Sequence, residues 1–316
     1  MRTFTLSVPR DFRLPRDVCS YGYFLLEPNH WDPRDQSLRR TLLLPGGATT
    51  LLITQPRRTG SPLRVKADRD LAAPDRRAAT AALTRMLRLD EDHRHTAAFH
   101  ALDPRWKATG YARLFRSPTF FEDVIKTVTS CNVTWPSTVN MNRRLCEVLG
   151  EPSPSGHVTF PTPQKLARTR PQTLRARCRV GYRDARIIEL ARRFARGSID
   201  PAFFENPATP DEAVHDALLD LPGIGPYAAA NLMQLLGRYA HLPLDTESVR
   251  HGRTVLGFTG TSKHVMRRVA EHFAPFGNQQ FRSYWFEIWA FYEAKRGPAH
   301  TWAKEAVGSS FTAAKL

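Results

Sequence analysis

The stretch Leu221-Pro222-Gly223-Ile224-Gly225-Pro226-Tyr227 constrains the fold more than any other part of the chain. Two glycines one residue apart predict a tight turn that a missing Cβ allows. Pro226 follows at the first position of a new helix, where its absent N–H costs nothing. Before the turn, residues 211–221 carry Ala213, Leu218 and Leu221 near one face. After it, residues 227–239 place Ala228, Leu232, Leu235 and Leu236 inward. The spacing predicts two helices joined by a short hairpin. Its glycine amides would point outward beside a positive helix end, an arrangement suited to a phosphate. Asp245 stands eighteen residues after Tyr227 and reads as the N-cap of a helix over 246–255.

A chain of 316 residues suggests two domains and is ample for a large core. Residues 1–105 read as a mixed domain. Segments 21–26, 41–44, 49–54 and 63–67 look like short strands, with Pro45-Gly46-Gly47 as a hairpin-type turn. Residues 55–62 form a polar, basic loop, and 74–89 a strong amphipathic helix. From 106 to 303 helical patterns dominate: 118–130, 139–149, 164–167, 184–196 and an aromatic helix reaching Tyr292. The tail, 304–316, is expected to fray. The fold class is thus mostly α with an N-terminal α+β domain.

Charge narrows the partners. The chain has 46 Lys and Arg against 30 Asp and Glu, a net charge of +16. Such an excess favours a polyanion. With eight lysines and 38 arginines, the bias is toward the side chain that makes forked contacts with phosphate. A GC-rich genome accounts for the same bias. Cys19, Cys131, Cys146 and Cys178 lie far apart without a C-x-x-C pair, so a zinc ribbon is not expected. No run of about twenty apolar residues exists, which argues against a membrane span. Residues 1–12 lack the apolar core of a signal peptide. The final Ala-Lys-Leu resembles a peroxisomal address, or matches one by chance. The expected setting is the cytoplasm and nucleoid of a bacterium, or a eukaryotic nucleus.

The hairpin followed by Pro243-Leu244-Asp245 resembles the helix–hairpin–helix (HhH-GPD) superfamily of DNA glycosylases, in the 3-methyladenine and 8-oxoguanine branch. Ser130-Cys131-Asn132, Phe160-Pro161-Thr162 and Gly181-Tyr182-Arg183 resemble that family in order and spacing, and extend the likeness over residues 110–295. The resemblance implies a small antiparallel sheet domain and two helical subdomains flanking a cleft. Some members carry an iron–sulphur cluster on four closely spaced cysteines near the C-terminus. After Cys178 this chain has none, so the cluster is not expected.

What the resemblance implies for the site follows from the chemistry. Breaking an N-glycosidic bond builds positive charge on the sugar. A fixed carboxylate beside the anomeric carbon stabilises it and orients a water. Asp245 would be that group, kept ionised by its helix N-terminus. Where bifunctional lyases of the family hold a Schiff-base lysine, this chain has Tyr227, so water would be the nucleophile and no strand cleavage would follow. A base alkylated at a purine N3 or N7 is a cation, leaves without a general acid, and stacks well on an aromatic wall. Tyr227 is the first candidate for that wall. Trp135, Trp285 and Tyr21 are weaker ones, since packing in the core explains them as well.

Other implied roles surround these. Asn132 matches the place where related enzymes fill the gap left by a flipped base, and also reads as a helix C-cap. The amides of Gly223, Gly225, Tyr227 and Ala228 would grip one phosphate. Carbonyls of Leu219, Leu221 and Ile224 would hold a structural sodium or potassium ion, with no cofactor needed for catalysis. Arg250 and Arg253 either touch the DNA backbone or form a solvated face. His93, His95 and His100 form a small cluster that reads as an exposed helix end. The expected activity is monofunctional excision of alkylated purines from damaged duplex DNA by a monomer. The alternatives are excision of oxidised guanine or bulky lesions, and an inactive DNA-binding module.

Overall fold

The computed structural model describes residues 1–302; the predicted tail and its terminal Ala-Lys-Leu lie outside the described residues. A five-stranded antiparallel sheet has the order β1-β5-β4-β3-β2. Its strands are β1 (Thr3–Leu6), β2 (Asn29–Asp32), β3 (Ser37–Leu44), β4 (Gly47–Thr54) and β5 (Leu63–Ala67). Strands β3 and β4 form a hairpin with Thr41 opposite Thr50 and Leu44 opposite Gly47. In β5, Leu63, Val65 and Ala67 are buried while Arg64 and Lys66 are exposed, the alternation of a sheet with one wet face.

The 21–26 segment is not a strand. Gly22–Leu25 is a 3-10 turn whose flanks Tyr21 and Leu26 are buried with it. Its apolar run lacks alternation because it is covered on several sides, so periodicity could not separate strand from buried turn. Strands β1 and β2 have only four residues each, too few for a clear period, and the sequence pattern missed them.

Helices make up most of the remainder. They are α1 (Leu14–Val18), α2 (Ala73–Leu87), α3 (His93–Leu102), α4 (Phe120–Ser130), α5 (Trp135–Leu149), α6 (Pro163–Ala167) and α7 (Pro171–Ala176). Then follow α8 (Asp184–Ala195), α9 (Pro201–Glu205), α10 (Asp211–Leu219), α11 (Pro226–Leu235), α12 (Thr246–Thr254), α13 (Ser262–Phe273) and α14 (Gln280–Arg296). Helix α4 is central. Phe120 to Thr129 are all buried, and it packs on α5, α8 and α11. Thr119 caps it, accepting the Glu122 amide at 3.2 Å.

One hydrophobic core runs from Phe12 and Leu38 to Trp289 and Trp302. Helix α14 ties the N-terminal segment to the helical part. Trp285 Nε1 donates to the Ser20 carbonyl at 2.8 Å and Trp289 Nε1 to that of Cys19 at 3.0 Å. Among the described residues no helix is long and apolar enough to cross a membrane.

Buried charge supplies two further ties. Arg40 on β3 makes a forked pair with Glu122 on α4, with Nη1 to Oε1 at 2.9 Å and Nη2 to Oε2 at 2.6 Å. Lys126, one turn on, is fully buried with Nζ 2.7 Å from Glu122 Oε1. Second, Arg88 at the end of α2 donates to the carbonyls of Gln234 (2.7 Å) and Leu235 (3.1 Å), the last of α11. Arg116 donates to Leu235 as well, at 2.9 Å. Cations at a helix C-terminus complement both its dipole and its unpaired carbonyls.

Burial would raise the Glu122 carboxyl, yet Arg40 and Lys126 hold it at about 2. Its folded value is depressed, so the stability it contributes is present above the ordinary 4.5 and is lost as pH falls toward 2. Glu122→Gln strands two buried cations. It should lower the unfolding free energy by about 3–5 kcal/mol in a urea titration at neutral pH.

Candidate active site

The hairpin between α10 and α11 is built from inside out. Leu221 and Ile224 are buried, and the Ile224 amide closes the turn on the Leu221 carbonyl at 3.1 Å. Gly223 and Gly225 are thereby left exposed. Only Gly223 has a backbone that demands glycine, with φ +78. Gly225 is extended (φ −100, ψ −176), and a Cβ there would meet open space. The expectation that both glycines are required by the turn is corrected: the second leaves the backbone uncovered instead of bending it.

Among the described residues, the amides of Gly223, Gly225, Tyr227 and Ala228 have no hydrogen-bond partner. Unpaired amides at a helix start can accept an anion. Of the three carbonyls named for a cation, those of Leu219 and Ile224 accept no bond among the described residues, and that of Leu221 accepts one. Such a set of neutral oxygens has the hard-donor character that sodium or potassium requires.

Asp245 is the N-cap of α12. Its Oδ1 accepts the amides of Glu247 (2.9 Å) and Ser248 (3.1 Å), while Ser248 Oγ accepts the Asp245 amide at 3.0 Å. This is a capping box, legible in the sequence as Asp-x-x-Ser. Ser248 Oγ is itself 2.6 Å from the hydroxyl of buried Tyr284 on α14. One carboxylate oxygen is thus held in place, and no hydrogen bond among the described residues reaches Oδ2. Burial raises the Asp245 carboxyl to about 6, outweighing the amides of Ser248 and Glu247 that pull it down. The helix N-terminus acts in the expected direction but is the weaker effect.

Tyr227 stands beside this acid. Burial first, and then the Asp245 charge, push its phenol well above the ordinary value. Its carbonyl accepts Asn231 Nδ2 at 3.0 Å, and Asn231 Oδ1 accepts the Tyr21 hydroxyl at 3.2 Å. The Tyr21 ring lies 4.7 Å from Trp285 and 5.0 Å from Tyr23. The Trp135 ring sits against Gly22, with atoms 3.1 Å from where a Cβ would be. The fold therefore brings Tyr21, Trp135 and Trp285 around one short segment, next to the helix that carries Tyr227. Tyr227, Trp135 and Trp285 are half-buried; Tyr21 is 6% exposed and backs the group. Tyr23 and Trp289 are core residues.

Asn132 follows the C-cap of α4 in a left-handed conformation, φ +53, and its side chain is exposed. Arg183 shapes this turn. Its Nε donates to the Val128 carbonyl at 3.2 Å and its Nη2 to that of Cys131. Tyr182, to which the sequence assigned no role, is 56% exposed between the guanidinium groups of Arg183 (4.5 Å) and Arg186 (5.5 Å). The Arg186 stem occupies the space a Cβ on Gly223 would need. The visible clue was an aromatic among closely spaced arginines.

Arg250 is corrected. It is buried, paired with Glu247, bonded to Thr254 at 3.2 Å and stacked 4.0 Å over Phe291, so it presents no free cation. Arg253 is exposed and donates to the Gly260 carbonyl. His95 contacts Asp92 and His100 the Tyr111 carbonyl; no group of three metal-ligating side chains converges among the described residues.

No family model matches the chain, and no curated protein does. Solved structures do. A 3-methyladenine DNA-glycosylase from Archaeoglobus fulgidus superposes with a TM-score of 0.68 at 18% identity, covering 91% of this chain and 99% of that one. The apo 8-oxoguanine glycosylase/lyase of Clostridium acetobutylicum gives 0.66 at 15%, covering 91% and 96%. MBOgg1 in complex with a low-affinity DNA ligand gives 0.67 at 19%, covering 92% and 97%. The chain has the fold of the helix–hairpin–helix DNA glycosylases.

The two glycines should respond oppositely to alanine. Gly223→Ala forces a side chain into the left-handed region and against Arg186, and should destabilise by about 1–2 kcal/mol. Gly225→Ala meets neither obstacle and should stabilise by about 0.4–1 kcal/mol. Thermal unfolding of the two variants checks both signs.

Proposed function

We propose that this protein is a monofunctional DNA glycosylase that excises alkylated purines from duplex DNA. The observation that carries the reading is Asp245: one oxygen locked by its own helix, the other unbonded, beside a half-buried aromatic and a hairpin of unpaired amides. A structural aspartate cap alone does not account for that company.

In this reading the amides of Gly223, Gly225, Tyr227 and Ala228 bind one phosphate of the damaged strand. The carbonyls of Leu219, Leu221 and Ile224 would hold a sodium or potassium ion, whose charge adds attraction for the same phosphate. The damaged nucleotide is everted, and its cationic base rests against Tyr227, with Trp135 and Trp285 alongside and Tyr21 behind. Asn132 enters the space left in the stack. Tyr182, exposed and flanked by cations, offers a face to a neighbouring base. As the glycosidic bond breaks, electrons move to the purine and positive charge grows on the sugar. Asp245 stabilises that charge through its free oxygen and orients the attacking water. No lysine occupies the position of Tyr227, so no Schiff base forms there. The protein acts as a monomer on damaged duplex DNA.

The reading is tested by incubating the chain with methylated duplex and, separately, with duplex containing 8-oxoguanine. Release of 3-methyladenine or 7-methylguanine is expected, with intact strands and no adduct trapped by borohydride. Asp245→Asn should slow release by at least about 100-fold. Release of 8-oxoguanine alone would move the substrate to oxidised guanine. Tight binding without release of any base would leave a DNA-binding module.

The pH dependence is specific. Asp245 must be ionised, and burial sets its carboxyl near 6. The single-turnover rate should therefore rise with pH through about 6 and level off above it. A rate already flat at pH 5 would show that this carboxylate is not the group being titrated.

A further inference from the structure

A cleft of about 990 Å³ lies away from Asp245 and Tyr227, between β3, α2 and the start of α4. Its volume is at the upper end of the roughly 300–1,000 Å³ typical of small-molecule sites. Its lining includes the apolar Leu42, Phe121 and Phe160 and the cations Arg85, Arg88 and Arg116.

The arginines differ in how they are satisfied. Arg85 pairs with Asp123 and Glu205, each at 2.7 Å. Arg88 pairs with Glu91 at 3.1 Å, and Glu91 also takes Arg282 at 2.6 Å. Arg116 is 7% exposed, yet among the described residues it makes no ion pair. Its Nε and Nη1 donate to the carbonyls of Arg85 and Leu235, both at 2.9 Å, and among the described residues nothing accepts from Nη2. Burial first, then Arg88 and Arg85, push this guanidinium down to about 9. The remaining carboxylates of the lining are Asp90, which is exposed, and Glu122, which is committed to Arg40 and Lys126; neither makes an ion pair with Arg116 among the described residues. Asp123, Asp90 and Glu91 act on this cation only from beyond ion-pair contact, and a buried cation beside two others without a directly paired anion is costly unless something supplies one.

We infer that this cleft is a second binding site, for a small phosphate-bearing organic anion of nucleoside-monophosphate size. The phosphate lies on Arg116, whose free edge suits a phosphate oxygen, and the organic part lies against Phe121, Phe160 and Leu42. The site is separate from base excision, so its test does not depend on any glycosylase activity.

Titration calorimetry of the full chain uses deoxyadenosine 5′-monophosphate as the probe, with deoxyadenosine as the control. The monophosphate should bind, and the nucleoside should bind at least about tenfold more weakly. Arg116→Met keeps the volume and removes the charge, and should weaken monophosphate binding by about tenfold or more. That variant also leaves the Leu235 carbonyl one donor short. If it does not fold, Ala81→Glu decides instead, since Ala81 is an exposed wall residue away from the arginine bonds. It should weaken binding with the melting temperature unchanged. Saturating undamaged duplex should not displace the probe. No monophosphate binding, equal binding of the nucleoside, unchanged affinity in the deciding variant, or displacement by duplex would each overturn the inference.

Discussion

Helix α11 is gripped at both ends by unpaired backbone groups, and the rest of the site depends on how each end is met. At its C-terminus the buried carbonyls of Gln234 and Leu235 are met by two buried arginines from distant parts of the chain. At its N-terminus the amides of Gly223, Gly225, Tyr227 and Ala228 are unmet among the described residues. The negative end is thus satisfied internally, while the positive end keeps donors to spare. Arg88 and Arg116 belong to the segments around α2 and before α4, so parts of the chain distant in sequence fix the end of α11 opposite the hairpin.

Asp245 shows a second contest, between burial and capping. Two amides and a hydroxyl stabilise its charge, and each alone would lower the pKa. Partial removal from water opposes them and prevails, leaving a carboxyl near 6. An acid balanced there is still charged at neutral pH yet poorly satisfied, with one oxygen uncommitted. Tyr284, through Ser248, extends the control of the other, capped oxygen to α14. Contacts far from the hairpin in sequence therefore set the orientation of the group proposed to act.

Much of the site was legible because its signals are local. Gly223, Pro226 and the Asp245 cap each follow from rules that span a few residues, and the helices around them were placed to within a turn. The strand 63–67 was legible through alternation, and 49–54 through a run rich in β-branched residues after the Pro45-Gly46-Gly47 turn. The buried turn at 21–26 was not, since an apolar run covered on several sides carries no period. Arg250 was missed for a related reason: a helical arginine three residues after Glu247 reads as a DNA-backbone contact or a solvated face until Phe291, 41 residues on, is seen to cover it. Tyr182 was passed over because exposure cannot be read from a residue's type.

By itself the sequence determined the hairpin, the capped aspartate and the absence of a lysine at 227. Each is a matter of short-range sterics or of composition at one position, which no distant contact can alter. Only the tertiary structure decided which cations are free. Arg88, Arg116, Arg183 and Arg250 look alike along the chain, but their roles depend on which carbonyls, carboxylates and rings the fold lays beside them. Long-range electrostatics is a property of the assembled arrangement, because the field at a charge sums over neighbours that sequence order does not reveal.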